Sequence, residues 1–247
     1  ITIEHGDSSV GFDLFGDAVS PDALDNASTV ILCATHGHPE HCGSFRSLLR
    51  SPVVAARASD IHLISSPQVI RYVNQAGLLP SANAHAVSHM EQIRIHDVQI
   101  TSFFWTHLPL LPPGMRPKIE YATSLLSHPV DFVRIGLMGL SLPMNAPKLG
   151  FHLAFPDGTT VLNYAEGLHR LTDAHEVEII ARELPADVLL FAVEPEDTEA
   201  IPRWVEILNP SRVLLYEAHR PWRELFRLPY INLVDYAGEL SKHFSWI

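Results

Sequence analysis

Apolar and polar residues change places along this chain in short blocks, each long enough for one element and bounded by turn formers. Ile1 to Ile3 and Val10 to Phe15 read as two strands of an opening hairpin, separated by Gly6, Asp7, Ser8 and Ser9. Thr29-Val30-Ile31-Leu32, continued by Cys33, has the β-branched, uninterrupted apolar character of a core strand. Ser44 to Leu49 then reads as a short helix, and Val53 to Ala56 and Ile61 to Ser65 as strand-like. Pro67 sits at a helix start, with Val69, Ile70 and Val73 at helical spacing and Gly77 as the stop. Ile93, Ile95, then Val98, Ile100 and Phe103 to Trp105 predict two strands joined near His96-Asp97. Residues 150–155 and 159–164 form a hairpin around Pro156-Asp157-Gly158. Beyond it helices and strands alternate: helix His175 to Leu184, buried strand Asp187 to Val193, helix Glu199 to Leu208, strand Arg212 to Glu217. A closing helix, Ile231 to Phe244, carries Leu233, Val234, Ala237 and Leu240 on one face. Hairpins followed by alternating helices and strands give an α+β protein with two β-rich layers flanked by helices.

Leu108 to Lys148 breaks this rhythm. Pro109, Pro112, Pro113, Pro117, Pro129, Pro143 and Pro147 interrupt it, so neither a long helix nor a central strand runs through. Between them lie a short helical segment, Ile119 to Ser127, and the apolar stretch Phe132 to Leu140, which holds Arg134. Long segments of this kind inside compact domains are usually lids or partner surfaces. The expectation is an insertion, at about 108–148 of a single 1–247 domain, that either selects a lipophilic or acyl substrate or joins copies of the chain into a homo-oligomer. Arg134 is either an anchor for a substrate anion or a snorkelling surface residue.

At 247 residues and 47% hydrophobic composition the chain can bury a substantial core. Its formal charge of -11, with only 17 Lys and Arg and no basic cluster, argues against a nucleic-acid partner. Apolar runs such as Val188 to Val193 are too short to cross a bilayer, so no membrane partner is expected. No secretory leader is visible, which weighs little in a chain that begins at Ile1. Two cysteines cannot build a disulfide framework, and a reducing cytoplasm is the simpler location. Cys42 reads as a small apolar filler at the first turn of a helix rather than as a thiolate ligand.

The chemistry concentrates directly behind the core strand, in Cys33-Ala34-Thr35-His36-Gly37-His38-Pro39-Glu40-His41-Cys42-Gly43. Three imidazoles and a carboxylate fall within six consecutive residues, a density that suits metal binding and not packing. His107 follows the second strand of the 93–105 hairpin, Glu166 follows the strand 159–164, and His219 follows the strand 212–217. His62, His85, His89 and His96 have no partner at ligand spacing along the chain and are assigned to the surface or to supporting positions.

The His36-x-His38-x-Glu40-His41 run resembles the His-x-His-x-Asp-His signature of the metallo-β-lactamase fold superfamily, with Glu40 where that family usually has Asp. The resemblance covers nearly the whole chain and breaks down mainly in the proline-rich segment. It implies a four-layer αββα sandwich with two divalent metal ions, zinc in the first place and iron or manganese as alternatives. It also implies that His36, His38 and His107 hold one ion, that Glu40, His41 and His219 hold the second, and that Glu166 bridges them. Asp13 falls where the family often places a carboxylate that orients a ligand imidazole. Glu40, His219 and His169 are the candidates for direct catalytic roles, Glu40 as ligand, as general base or as a hydrogen-bond partner of water.

Bound divalent ions lower the pKa of water from 15.7 toward ~7 and polarise a carbonyl or phosphoryl group. No Ser or Cys nucleophile is then needed, and the chain has no Gly-x-Ser-x-Gly elbow, glycine-rich phosphate loop or dinucleotide fingerprint. The leading expectation is a lactonase-like, metal-dependent hydrolase of a small ester, lactone or related acyl substrate. The alternatives are a phosphodiesterase, for which Arg116, Lys118, Arg134 and Arg220 are candidate cations, and a non-catalytic metal-binding protein that retains the fold.

Overall fold

Thr29–Cys33 forms strand β3, and all five residues are buried, as the uninterrupted apolar run requires. In the computed structural model the described residues are 1–13, 27–42, 45–50, 52–77, 79–107, 122–123, 126–130, 133, 137, 139–140, 142–217, 223–224 and 229–244. They divide into two compact units, Ile1–Phe104 with Ile135–Phe151, and Trp105–Arg134 with His152–Ile247. The described strands form two mixed sheets, and with the helices they make an α+β fold.

The first unit holds a sheet of order β1-β2-β3-β4-β5. Strand β1 (Thr2–His5) runs antiparallel to β2 (Ser8–Phe12), and the connection is only Gly6-Asp7 because Ser8 and Ser9 join the strand with buried side chains. From β2 onward the strands are parallel, through β3 to β4 (Ile61–Ser65) and β5 (Ala84–Ala86). Parallel neighbours need crossover connections. Between β3 and β4 these are α1 (Pro39–Cys42), α2 (Phe45–Arg50) and α3 (Pro52–Ala56), and between β4 and β5 it is α4 (Pro67–Asn74). Segment 53–56, expected to be strand-like, is therefore helical. Pro52 supplies a preset φ at the helix start, and Val54 is buried while Ala55 and Ala56 stay exposed, a pattern no buried strand would show. Val30, Leu32, Ile61 and Leu63 pack with Val69, Ile70 and Val73 of α4 and with Leu142 and Ala146. Each such side chain contributes about 1.5–3 kcal/mol when fully buried.

The second sheet has the order β11-β10-β9-β8-β7-β6. Its first-unit part is the hairpin β6 (Gln92–Ile95) and β7 (Val98–Phe104), turned at His96-Asp97 as expected. Strand β8 (Leu149–Ala154) carries the chain from one unit to the other at Phe151-His152. In the second unit β9 (Thr160–Ala165), β10 (Val188–Ala192) and β11 (Arg212–Tyr216) are parallel, joined through α5 (Ala174–Glu183) and α6 (Ile201–Leu208). Asp173 caps α5 by accepting from the His175 N–H.

The closing helix α7 is shorter than expected, Leu233–Leu240, and presents a different face. Tyr236 and Leu240 are buried, while Val234 is 81% exposed. The Tyr236 hydroxyl donates to the Thr198 carbonyl at 2.9 Å, so burying the aromatic ring sets the helix rotation. Most of segment 108–148, expected as an insertion, lies outside the described residues, including Arg134, Arg116 and Lys118. Of those that are described, Leu126, Val130, Val133, Leu137 and Leu140 are exposed. No helix among the described residues is long and apolar enough to cross a membrane.

Gly150 shows how closely the first unit is packed: a Cβ at that position would collide with the ring of the fully buried Phe103. Gly150→Ala is expected to destabilise the protein by about 1–3 kcal/mol, the usual cost of overpacking a filled core. In urea denaturation the midpoint should fall with no change in slope.

Candidate functional site

Strand β3 empties into a loop that buries everything it carries. Thr35 and His36 are fully buried, and His38 and His41 are only 5% and 4% exposed. The loop is held down from outside, because the Leu149 N–H donates to the Thr35 carbonyl at 2.8 Å. At Gly37 a Cβ would run into the Pro143 carbonyl, so only glycine lets the loop lie this close to segment 142–146. Helix α1 follows at once, and the His38 carbonyl accepts from the His41 and Cys42 N–H groups. Within one turn three imidazoles are thus folded onto each other. The His36 and His38 rings meet edge to face with centroids 4.4 Å apart, and His36 and His41 lie 3.9 Å apart.

Asp13 and Thr35 fix how these rings present themselves. One Asp13 oxygen accepts from the Thr35 backbone N–H at 2.8 Å, and the other accepts from the Thr35 hydroxyl, also at 2.8 Å. A hydroxyl has one proton to give, so toward His36 Nδ1, 2.9 Å away, Thr35 Oγ1 acts as acceptor. That places the His36 proton on Nδ1 and the lone pair on Nε2. His41 Nδ1 lies 3.1 Å from Asp13 Oδ2, which assigns the same tautomer to His41. Asp13 does this from a left-handed backbone, φ 45°, pinned by its N–H donating to the Cys33 carbonyl at 3.1 Å. Such a conformation costs on the order of 1–3 kcal/mol and persists where surrounding bonds over-determine it.

This cluster has the chemistry of a metal-binding half. His36 Nε2 and His38 Nδ1 lie 3.1 Å apart. Two nitrogens bound tetrahedrally to one zinc ion at 2.0–2.1 Å would be about 3.3 Å apart, so little movement separates the observed pair from a shared ion. A ligand nitrogen of His41 also lies within 4.8 Å of one on His36. Cys42 beside them is fully buried, in keeping with an apolar filler, and burial pushes the Cys33 thiol pKa well up.

The second unit carries its own pair. His107 Nε2 stands 3.5 Å from Glu166 Oε2, and the His107 ring stacks on Trp105 with centroids 5.5 Å apart. Glu166 follows Ala165, whose φ of 50° turns the chain out of β9, and the Asn163 side chain accepts from the Ala165 N–H at 2.9 Å to hold that turn. His169 is 1% exposed and spends both ring nitrogens on the backbone. Nε2 lies 2.6 Å from the Thr106 carbonyl and Nδ1 accepts from the Leu171 N–H, so the Nε2–H donates to the residue just before His107. Burial lowers the His169 pKa below 6.5, partly opposed by the Thr106 hydrogen bond and the Asp197 charge.

Of the other residues singled out in the sequence, the Glu40 side chain and all of His219 and Arg220 lie outside the described residues. Thr35 was not anticipated as a hub. A hydroxyl one position before the first histidine is its only sequence trace. A second omission lies in the histidines assigned to isolated positions, because His62 Nδ1 and His85 Nε2 are 3.1 Å apart. Parallel pairing of β4 and β5 joins residues 23 apart in sequence, which spacing along the chain does not reveal.

No family model and no curated protein sequence matches the chain. Solved structures do. The metallo-β-lactamase fold protein YhfI from Bacillus subtilis matches with a TM-score of 0.57 at 14% identity, over 99% of this chain and 84% of that one. A possible metal-dependent hydrolase from Veillonella parvula gives 0.51 at 12% identity, over 98% and 90%. CmlA, a diiron β-hydroxylase from Streptomyces venezuelae, gives 0.52 at 12% identity over 89% of this chain, which spans only 42% of CmlA. The chain therefore has the metallo-β-lactamase fold, as the sequence resemblance implied.

Two outcomes follow from the hydrogen bonding. Thr35→Val removes the hydroxyl while keeping its shape, leaving the Asp13 carboxylate and the His36 Nδ1–H short of one partner each. It should cost about 1–3 kcal/mol in denaturant titrations and weaken metal binding about 10–100-fold. Because the folded pKa of His169 is depressed, the unfolded chain binds its proton first as pH falls below 6.5. Its contribution to stability is complete above that pH and is lost on acidification. His169→Gln, which keeps an N–H for the Thr106 carbonyl, should make unfolding less pH-dependent between pH 7 and 5 than in the parent protein.

Proposed function

We propose that this protein is a metal-dependent hydrolase of a small ester, lactone or related acyl substrate. One observation carries the reading: His36, His38 and His41 are buried together, and Asp13 and Thr35 hold the His36 and His41 rings through their Nδ1 atoms. Neutral imidazoles gathered at this density would be a poor core, and their donor set suits zinc, iron or manganese. The fold supports the reading without assigning the reaction, since unrelated chemistries share it.

The ligand set proposed is His36, His38 and His107 for one divalent ion and Glu40, His41 and His219 for a second, with Glu166 between them. Zinc is the first candidate. Ions held there would supply Lewis acidity toward a carbonyl oxygen and ionise water near neutral pH. The chain's own groups do the rest. Asp13 and Thr35 keep the His36 and His41 imidazoles from rotating. His169 is a positioning residue, fixing Thr106 and so the approach of His107. Glu40, which carries one methylene more than an aspartate, is proposed as a ligand or as the general base toward water. Exposed Leu126, Val130, Val133, Leu137 and Leu140 in the insertion favour an apolar acyl group over a multiply charged one.

Protein purified without added metal is expected to contain one to two divalent ions per chain by elemental analysis. It should turn over aryl esters or lactones. His38→Ala should lower kcat/KM by about 100-fold or more, in line with loss of a metal ligand, and chelation should abolish turnover reversibly. Metal content well below one ion per chain, unrestored by supplementation, overturns the metal assignment. Turnover of phosphodiesters alone overturns the acyl substrate, and bound metal without any turnover overturns the catalytic reading.

A further inference from the structure

The edge of the first sheet and the helix packed beside it enclose an open groove. Strand β5 is last in the sheet order and pairs on one side only, with β4. The Val87 N–H donates to the Ser65 carbonyl at 2.9 Å, and successive residues of a strand turn their peptide groups to opposite edges. The N–H and C=O of Ala86 therefore face away from the sheet, and among the described residues neither has a hydrogen-bond partner. Pro67, Ile70, Arg71 and Asn74 are spaced to share one face of α4, and with Gln75 and Ala86 they line a groove of about 490 Å³. Ala84, two residues before Ala86 and so on the same face, packs against the cluster that holds Ile70. Ile70 is 5% exposed, whereas the other five lining residues are open to solvent. Among the described residues the Arg71 guanidinium has no ion pair, although the chain's formal charge is -11.

We propose that this groove docks an extended peptide segment of a partner protein, added beside β5 as a further strand and carrying an acidic side chain for Arg71. Three observations select that occupant. The outward peptide group of Ala86 offers a donor and an acceptor on one edge, which the main chain of a strand can satisfy and that of a helix, already bonded internally, cannot. Side chains of an added strand alternate between faces, so two of them two residues apart fall on the α4 side. One, apolar, rests against Pro67, Ile70 and Ala86, and the other reaches Arg71. The unpaired guanidinium supplies the selection by charge, donating through its fork of N–H groups to a carboxylate, with the Asn74 and Gln75 amides alongside. A chain this acidic repels an acidic segment over most of its surface, so a local cation decides where such a segment settles. All of the groove lies within the first unit and uses none of the residues assigned as metal ligands.

A positional-scanning library of acetylated, amidated pentapeptides, applied to the full chain, should select an acidic residue at one position and an apolar one two positions away. Arg71→Glu should turn the acidic preference into a basic one. It should also weaken the best acidic peptide about tenfold or more, the usual consequence of losing a charge-assisted hydrogen bond. That peptide should shift the Ala86 amide and Arg71 side-chain N–H resonances of the parent protein, a readout that needs no variant to fold. Methylating the peptide's backbone nitrogens one at a time should weaken binding at alternate positions, as strand pairing requires. No selected sequence, an acidic preference unchanged in Arg71→Glu, or an unmoved Ala86 amide overturns the site. Weakening by methylation at every position, or at none, overturns strand addition. An Ala86 amide that shifts with protein concentration in the absence of peptide makes the occupant a second copy of the chain and overturns the partner peptide.

Discussion

The Asp13 carboxylate is the constraint on which the histidine loop depends. Its two oxygens receive the Thr35 amide, the Thr35 hydroxyl and the His41 ring, so a single side chain fixes the backbone and two side chains of a loop that is otherwise only a strand end. The hydroxyl then relays the arrangement to His36. Without it, imidazoles packed at ring-centroid separations of 3.9 and 4.4 Å would be a buried polar liability, since unsatisfied polar groups in an apolar surround are costly. With it, the His36 and His41 rings are ordered and their tautomers are set by hydrogen bonds.

The scaffold explains why that carboxylate is where it is. Strands β2 and β3 run parallel, with Phe12 opposite Cys33, so the residues that follow each strand leave the sheet at the same end. Asp13 follows Phe12 and Ala34-Thr35-His36 follow Cys33. Parallel pairing thus converts a separation of 22 residues between Asp13 and Thr35 into a hydrogen bond. The same logic recurs in the second unit, where Glu166 leaves the end of β9 and is paired with His107. Strand ends converge by topology, and the reactive groups are appended there.

Much of this was legible in the sequence because the signals were local. The core strand at 29–33, the hairpins around His96-Asp97 and Pro156-Asp157-Gly158 and the alternation after residue 174 all follow from periodicity and turn chemistry. The His36-x-His38-x-Glu40-His41 run carried the fold resemblance, which the solved structures bear out. What escaped was non-local or subtle. Segment 53–56 has strand-like composition, but a proline precedes it, and the buried Val54 is followed by two exposed alanines in a helix. The face of α7 was misjudged because a tyrosine hydroxyl, and not the count of aliphatics, decided its rotation. The His62–His85 pair joins two strands whose adjacency no spacing rule contains.

Strand β1 lies at the rim of its sheet and is paired along its length with the strand that leads into Asp13. The rim reaches the carboxylate through the residue before it, the Phe12 N–H donating to the Ile1 carbonyl at 2.8 Å. By linkage, a cation that binds only the ordered rings would suppress any opening of the sheet that disorders them, and slowed amide exchange in β1 would register it. The edge strand of that sheet would report on its histidine loop.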